Sequence, residues 1–284
     1  MSTILPIESS ANPKLKRWRK IAREARAMRR EGSTLVEGLH LLEVVLEALD
    51  NPNRSQRPDV RAVMISEHAT DEAGELAMRL AERAGVRVYG LLGALYDELS
   101  PVEHGAGCMC EIALPTENAA ENPDDAAPWT DDLLYLDGVQ DAGNAGTLVR
   151  TAVAAGVRTI VASPKTAQLW SPKVLRAGMG AHFGARIIEN VTAEALRSRF
   201  KGRILAADAR GGEDLFAADD YTAAGPVCWV MGAEGPGVSE EVLAVADARY
   251  YIPIEKACES LNVGAAAAVC LFDARRRRLT RGAL

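Results

Sequence analysis

The chain has 284 residues, of which 48% are hydrophobic and 25% charged, and its formal net charge is −6. This balance is typical of a globular protein with one large or two ordinary domains, and no apolar run reaches the ~20 residues that a membrane-spanning helix needs. The five cysteines are scattered, so no disulfide framework is expected, and the N-terminus lacks the pattern of a secretory signal, which predicts a cytoplasmic location.

Basic residues are concentrated at the two ends of the chain. Residues 1–40 carry a formal charge of +5 and residues 275–284 another +5, which leaves −16 for the remainder. Such segregation is typical of a protein that meets a polyanion at two places. Charge runs are also commonly solvated helix faces, so charge alone leaves both interpretations open.

The first part of the chain predicts a small α/β domain over residues 1–114. Residues 14–30 have apolar side chains at spacings of three and four, which predicts one amphipathic helix with a basic opposite face. Strand and helix patterns alternate from there to residue 114. Residues 115–129 contain three prolines and little to bury, which predicts a linker.

A metal site is not expected in this first domain. His104, Cys108 and Cys110 are close in sequence, but a structural site usually needs four well-spaced ligands. The segment that contains the two cysteines is apolar and predicts a buried strand instead.

The second part of the chain, over residues 130–284, predicts a parallel sheet covered by helices on both faces, because apolar strands alternate with helices. The predicted strands are 133–137, 159–163, 185–188, 203–208, 227–232 and 250–254, followed by a last helix over 261–278. Ligands bind beyond the carboxyl ends of strands in such sheets, and three of these ends have unusual residues.

The first of these ends is a glycine-bearing turn after Asp137, with a helix that begins near Asn144. A helix N-terminus can receive an anion, although Asn144 could also be only the helix cap. Arg150 follows in a helix of small and apolar residues, where an arginine is costly unless it is paired or functional.

The second end carries Gly232, Gly235 and Gly237, with Glu234 among them. This carboxylate could hold an arginine through both oxygens, or could simply be solvated. At the third end, Ser260 and Asn262 open a helix that is rich in glycine and alanine; Ser260 could be simply its N-cap and Asn262 a polar residue of its first turn.

Together these three loops resemble the motifs of the SpoU branch of the SPOUT methyltransferases. The matching residues are Asn144-Ala145-Gly146 with Arg150-Thr151-Ala152, then Gly232-Ala233-Glu234-Gly235-Pro236-Gly237, then Ile252-Pro253-Ile254 with Ser260-Leu261-Asn262-Val263. The resemblance covers residues 133–278, and residues 12–38 are similar to the RNA-binding domain of the same family. Ala142 stands where proline is usual and Gly178 where serine is commoner, and neither departure removes a reacting group.

The resemblance implies an α/β-knot, in which the chain forms a deep trefoil, preceded by an RNA-binding domain similar to a ribosomal protein. It implies a homodimer that methylates a ribose 2′-hydroxyl with S-adenosyl-L-methionine and needs no metal or membrane. Within the family it resembles, a first domain of over 100 residues implies large-subunit ribosomal RNA rather than transfer RNA. The implied cofactor contacts are Gly232, Ile252 and Leu261, with Met231, Gly237 and Ile254 beside them.

The resemblance also implies roles for the polar residues. Arg150 either removes the 2′ proton itself or binds the adjacent phosphate, so that a phosphate oxygen takes the proton. Asn144, Glu234, Ser260 and Asn262 complete the catalytic group and position the ribose and Arg150. The predicted phosphate contacts of the first domain are Lys14, Lys16, Arg17, Lys20 and Arg23.

Two alternatives come from other functional classes. A catalytically silent RNA-binding protein could keep the same fold, but it has no need for the full set of polar residues. A nucleotide-binding dehydrogenase needs a GxGxxG turn after its first strand, and residues 136–146 do not have that spacing.

Overall fold

The computed structural model describes residues 4–51, 57–100, 102, 105–115 and 127–282. These residues form two compact units, one within Met1–Thr116 together with Trp170–Gly184, the other within Glu117–Leu169 and Ala185–Leu284. Both units combine helices with a sheet, and the sheet of the second is wholly parallel. The predicted α/β class with a parallel sheet is confirmed, and the knot stays a prediction.

The sheet of the first unit has five strands in the order β1-β4-β3-β5-β2. The strands are β1 (Ile4–Ile7), β2 (Ser33–Glu37), β3 (Val60–Ser66), β4 (Val88–Leu91) and β5 (Cys108–Ala113). The helices before residue 100 are α1 (Pro13–Arg23), α2 (Ala25–Glu31), α3 (Leu39–Asp50), α4 (Asp71–Ala84) and α5 (Gly93–Asp97). Strand β1 was not predicted, because four residues that include Pro6 carry little pattern, and an edge position is where a strand tolerates proline.

The predicted single helix over residues 14–30 is wrong, because the chain is extended at Glu24 and divides it into α1 and α2. Helix α1 begins directly after Asn12, whose side chain accepts a hydrogen bond from the Lys14 amide at 2.9 Å, and Pro13 is its first residue. Trp18 of α1 and Met28 of α2 lie in one hydrophobic core, so both short helices bury their apolar faces together.

The sheet of the second unit has seven parallel strands in the order β10-β12-β9-β11-β6-β7-β8. The strands are β6 (Leu133–Asp137), β7 (Thr159–Ala162), β8 (Arg186–Ile188), β9 (Arg203–Ala207), β10 (Glu213–Asp214), β11 (Val227–Gly232) and β12 (Ala248–Tyr251). The helices beyond residue 127 are α6 (Ala142–Ala154), α7 (Pro172–Ala177), α8 (Ala193–Arg199), α9 (Glu240–Leu243) and α10 (Val263–Gly282). Strand β12 ends three residues earlier than predicted, so 252–254 belong to the loop that follows it.

The borders of the units differ in two respects from the sequence analysis. Residues 170–184, with α7, group with the first unit, whereas the sequence analysis placed them in the second domain. Most of the predicted linker, residues 116–126, lies outside the described residues. Its last residue, Trp129, is buried in the core of the second unit and pairs with Phe200.

The C-terminal arginine run binds groups of its own unit. Arg277 and Arg276 form ion pairs with Asp273, and Arg278 forms one with Asp132. Arg275 donates a hydrogen bond to the Ala155 carbonyl at 3.2 Å. These contacts fasten the last helix to its own unit. They therefore favour a structural role for the basic residues of 275–284 over a polyanion site. No described helix is long and apolar enough to cross a membrane.

Candidate active site

A cavity of about 420 Å³ lies at the carboxyl ends of β9, β11 and β12. Its size is within the range of small-molecule sites. All six residues predicted to contact a cofactor line it: Met231, Gly232, Gly237, Ile252, Ile254 and Leu261. Three of the predicted catalytic residues, Glu234, Ser260 and Asn262, line it as well.

The glycines of the loop after β11 are required by its backbone. A Cβ on Gly232 would stand 2.2 Å from the carbonyl carbon of Gly237, and Gly237 itself has a φ of +75°. The loop is closed by two hydrogen bonds between Ala233 and Gly237, of 3.1 and 2.9 Å. Any side chain at Gly232 would push this closed turn apart, and a left-handed φ favours glycine at Gly237.

A chain of hydrogen bonds joins the three predicted loops. Asn144 Nδ2 donates to Glu234 Oε1 at 2.8 Å, and Asn262 Nδ2 donates to Asn144 Oδ1 at 2.9 Å. Asn262 Oδ1 in turn accepts from the Gly264 amide at 2.8 Å, at the start of α10. Residues that are 118 positions apart in sequence thus share one polar network.

The direction of this network is fixed by α10. A backbone amide can only donate, so the Asn262 side chain must turn its oxygen toward the helix and its nitrogen toward Asn144. Asn144 must then turn its own nitrogen toward Glu234, whose carboxylate accepts. Each amide is oriented by the one before it.

The capping residues differ from those expected. Asp141 caps α6 by accepting from the Asn144 amide at 2.8 Å, so the Asn144 side chain is not the cap and is available for the network. At α10 the capping oxygen belongs to Asn262, because it accepts from the Gly264 amide, and the predicted cap Ser260 lies in the preceding loop.

Arg150 lies on the exposed side of α6, so it does not carry the cost that the sequence analysis expected of an unpaired arginine among apolar residues. The small and apolar neighbours pack inward and leave the guanidinium in water, because residues on one face of a helix recur every three or four positions. Glu234 accepts from Asn144, and within the described part of the chain no hydrogen bond or ion pair of Arg150 is seen. Arg150 and Asn144 do not line the cavity itself.

The sequence analysis missed a charged pair that lines the cavity after β9, Asp208 and Arg210. Burial alone would raise the pKa of Asp208, but hydrogen bonds from Arg210 and Arg249 outweigh it and hold this pKa below its usual value. The signal was available, because these residues follow directly on a predicted parallel strand.

The basic face of α1 is exposed, but not all of its charges are free. Arg17 forms ion pairs with Glu31 and with the buried Glu111, at 2.9 and 2.6 Å. Lys14 lies over the Tyr89 ring, and Arg23 donates to a carbonyl. Lys16 and Lys20 are exposed on the same helix, so the structure separates Arg17 from the other predicted phosphate contacts.

Cys108 and Cys110 lie in β5, as the sequence analysis predicted, and both are buried as free thiols. Burial raises the pKa of Cys108 to about 12, which disfavours the thiolate that a metal needs. His104 lies outside the described residues. Among the residues that are described, no group of three or more His, Cys, Asp or Glu could hold a metal ion.

Comparisons with known proteins identify a family for this chain. A model of the SpoU rRNA Methylase family matches residues 132–272. The chain is 27% identical over 273 residues to the 23S rRNA (guanosine(2553)-2′-O)-methyltransferase RlmP of Bacillus subtilis, covering 95% of this chain and 98% of that one. It is 30% identical to the 23S rRNA (guanosine-2′-O-)-methyltransferase RlmB of Bordetella pertussis, covering 77% of this chain and 90% of that one.

Solved structures share the fold over nearly the whole chain. A protein of the TrmH family from Porphyromonas gingivalis is 28% identical with a TM-score of 0.74, covering 95% of this chain and all of that one. An AdoMet-bound rRNA methyltransferase from Sinorhizobium meliloti has a TM-score of 0.78 at 24% identity, covering 96% of this chain and 98% of that one. At that identity the second likeness supports the fold alone.

Proposed function

This chain belongs to the SpoU rRNA methylase family, and we propose from this premise that it transfers a methyl group from S-adenosylmethionine to a ribose 2′-hydroxyl of RNA. The observation that carries the proposal is the hydrogen-bond chain from Asn262 through Asn144 to Glu234. It unites the three loops that the family motifs single out, beside a cavity of cofactor size.

The residues of the cavity fit S-adenosylmethionine chemically. Met231, Ile252 and Leu261 offer an apolar wall for an adenine ring, and the closed glycine loop offers backbone groups. The carboxylate of Glu234 suits a cationic sulfonium. When bound, the cofactor supplies an electrophilic methyl group.

Arg150 activates the RNA by binding the phosphate beside the target ribose, and an oxygen of that phosphate accepts the 2′ proton. A hydroxyl is a poor nucleophile until its proton is removed or strongly polarised. The Arg150 guanidinium is exposed and presents a planar fork of hydrogen-bond donors with no acceptor, so it suits phosphate binding better than the role of base. The oriented amides of Asn144 and Asn262, with Ser260, position the ribose.

The RNA substrate we propose is large-subunit ribosomal RNA, because RlmP and RlmB are both named for 23S rRNA. Transfer RNA is the alternative. The first unit binds the RNA through the exposed basic face of α1, where Lys16 and Lys20 are the leading phosphate contacts. Arg17 is the weakest of the five candidates, because Glu31 and Glu111 already hold it.

We also propose a homodimer that works in the cytoplasm. The exposed side of α10 carries Phe272 and Leu279, seven residues apart and so on one face of the helix, exposed by 46% and 61%. Large apolar side chains of this kind are typical of a subunit interface.

The activity test uses the purified chain, methyl-labelled S-adenosylmethionine, and ribosomal RNA from a strain that lacks the gene. We expect label in large-subunit RNA at one nucleotide whose 3′ bond becomes resistant to alkali, because the methylated 2′ oxygen can no longer attack it. Label in transfer RNA would instead make transfer RNA the substrate. Binding of RNA and S-adenosylmethionine without methyl transfer would support the catalytically silent alternative.

A further inference from the structure

Three charged side chains line the cavity at the ends of β9, β11 and β12: Asp208, Arg210 and Glu234. Glu234 belongs to the network of Asn144 described above. Asp208 and Arg210 lie after β9 and take no part in that network, so their role in the cavity is open.

The Asp208 carboxylate is fully used within the protein. Oδ1 accepts from the Arg210 amide and from Arg210 Nε, at 3.0 and 2.9 Å. Oδ2 accepts from Arg210 Nη2 and from Arg249 Nη2, at 3.2 and 2.6 Å. A carboxylate has about four acceptor positions, and the side chain is 2% exposed, so Asp208 has no position left for a ligand.

Two guanidinium groups therefore face one carboxylate, which leaves an excess of one positive charge. Only Arg210 of the two arginines lines the cavity, and its side chain is 47% exposed. Glu240 also lies near enough to act on Arg210 electrostatically, but it is exposed and therefore well screened.

Arg210 is also held from a second side. Its Nη2 donates to the Val238 carbonyl at 2.7 Å, and its Cζ is 3.4 Å from where a Cβ on Gly237 would stand. Within the described residues its Nη1 makes no hydrogen bond, so this nitrogen is the remaining donor of a guanidinium fixed against the glycine loop. A donor fixed in advance loses little entropy when it binds a ligand.

We propose that Arg210 binds the carboxylate of the amino-acid portion of S-adenosylmethionine, with Asp208 and the Val238 carbonyl holding its guanidinium in place. This inference rests on the proposed function. The cofactor has one carboxylate and two cationic groups. The cavity has one fixed cation, Arg210, and two anions, of which Asp208 is fully used by the arginines and Glu234 is not. The cavity therefore offers a charge opposite in sign to each kind of charged group on the cofactor.

The plainer alternative is that Arg210 only braces the loop through the Val238 carbonyl. The two explanations differ in which ligands a substitution affects. A brace supports every ligand of the cavity equally, whereas a carboxylate contact matters only for ligands that have a carboxylate.

The experiment measures binding by calorimetry with two ligands, S-adenosylhomocysteine and its decarboxylated analogue, which differ only in the carboxylate. Arg210→Ala is expected to weaken binding of S-adenosylhomocysteine by about 10-fold or more, because hydrogen bonds to charged groups contribute ~1.5 kcal/mol or more. Binding of the decarboxylated analogue should weaken by less than about 2-fold. Arg249→Ala is the matched control. It also removes a guanidinium from Asp208 but lies outside the cavity lining, so the ratio of the two affinities is expected to stay as in the wild type.

An equal loss for both ligands in Arg210→Ala would assign Arg210 to bracing the loop, and an unchanged affinity for S-adenosylhomocysteine would place the carboxylate elsewhere. Either result overturns the proposal while the proposed function stands. If the wild-type protein binds neither ligand, the proposed function itself fails. Affinity for the decarboxylated analogue also reports whether each variant is folded.

Discussion

An asparagine side chain has the same shape when its oxygen and nitrogen exchange places, so its role depends on what orients it. In this protein Asn262 is oriented by the first amides of α10, Asn144 by Asn262, and Glu234 receives the last hydrogen of the series. The positive end of a helix thereby determines where a donor and an acceptor stand at a site more than 100 residues away in sequence.

Asn262→Asp tests this series. An aspartate still accepts from the Gly264 amide and is a good helix cap, so the melting temperature should not fall. It cannot donate to Asn144, and turnover should fall by about 10-fold or more as the orientation of Asn144 is lost. Methyl transfer and thermal unfolding measured on the same preparation check both parts, and a fully active Asp variant would contradict the role of the network.

Arg150 is exposed, and no hydrogen bond or ion pair ties it to any other residue that the structure describes, so its removal should affect only the reaction. We expect Arg150→Ala to keep its melting temperature and its affinity for S-adenosylmethionine, while turnover falls by about 100-fold or more. Arg150→Lys should be nearly as poor, since lysine lacks the planar fork that binds a phosphate through two hydrogens. Arg79→Ala, an exposed arginine on α4, is the control, and an active Lys variant would show that the charge alone suffices.

Helix α10 is anchored by a half-buried ion pair between Arg277 and Asp273. Arg277 donates to Asp273 at 2.6 Å and to the carbonyls of Leu215, Ala218 and Asp219, and its guanidinium lies 4.7 Å from the Tyr221 ring centroid. The next arginine toward the N-terminus, Arg276, pairs with the same carboxylate from the solvent side. Two adjacent arginines thus differ in environment, because successive residues of a helix point about 100° apart.

Replacing each of these arginines by alanine should separate the two environments. The Arg277 side chain is 11% exposed, and its removal deletes one hydrogen bond each from Asp273 and from three carbonyls. We therefore expect Arg277→Ala to lower the free energy of unfolding by about 3 kcal/mol. The Arg276 side chain is 64% exposed, so Arg276→Ala should lower the free energy of unfolding by less than about 1 kcal/mol. Denaturant titration of both variants measures the difference, and equal values would refute the assignment of Arg277 as the anchor.

The same pair predicts a pH dependence. Burial alone would raise the pKa of Asp273, but hydrogen bonds from Arg277, Arg276 and Tyr221 outweigh it and keep this pKa below its usual value. Its contribution to stability is therefore complete above the ordinary carboxyl pKa and is lost as the pH falls through the lowered one. In Asp273→Asn this part of the acid destabilisation should be absent from unfolding curves measured between neutral and low pH.

At the scale of the whole molecule, we infer that RNA affinity and methyl transfer belong to different units. The basic face of α1 is in the first unit, and all residues of the cavity are in the second. Changing Lys16 and Lys20 to glutamate should weaken RNA binding and reduce its salt dependence, since fewer phosphates are neutralised, while affinity for S-adenosylmethionine stays the same. Arg17→Ala is the contrasting variant, because its ion pairs with Glu31 and Glu111 predict a loss of stability.

A filter-binding titration at several salt concentrations, together with calorimetry for the cofactor, measures both affinities. If cofactor binding collapsed with the charge reversal, the proposed division of labour would be wrong.

The proposed homodimer makes a second prediction at this scale. Light scattering at micromolar concentration should give a mass near twice that of one chain, and Phe272→Arg should lower it, because an exposed arginine cannot be buried against a second copy without a partner. Ala265→Arg, on the same helix, should also lower the measured mass if the interface follows the exposed side of α10. A monomeric wild-type protein would rule the dimer out.

Short-range patterns of residues locate most of the elements and the three loops of the site. Periodicity located six of the seven strands of the second sheet, and β6 was predicted to the residue, because a buried strand in a parallel sheet is a short and nearly unbroken apolar run. It could not locate β1 or the break at Glu24. Both depend on a partner strand or a packing surface rather than on the residues themselves.

The partners of the polar residues depend on how distant segments fold together. Sequence can place Asn144, Glu234 and Asn262 at the ends of strands, but hydrogen bonds between residues 90 to 118 positions apart depend on how the loops meet. For the same reason Arg17 and the C-terminal arginines looked like free charges until Glu111, Asp273 and Asp132 were seen to hold them. A charged side chain is visible in a sequence, but its partner is found only where the fold brings distant segments together, since short-range patterns carry no information on such contacts.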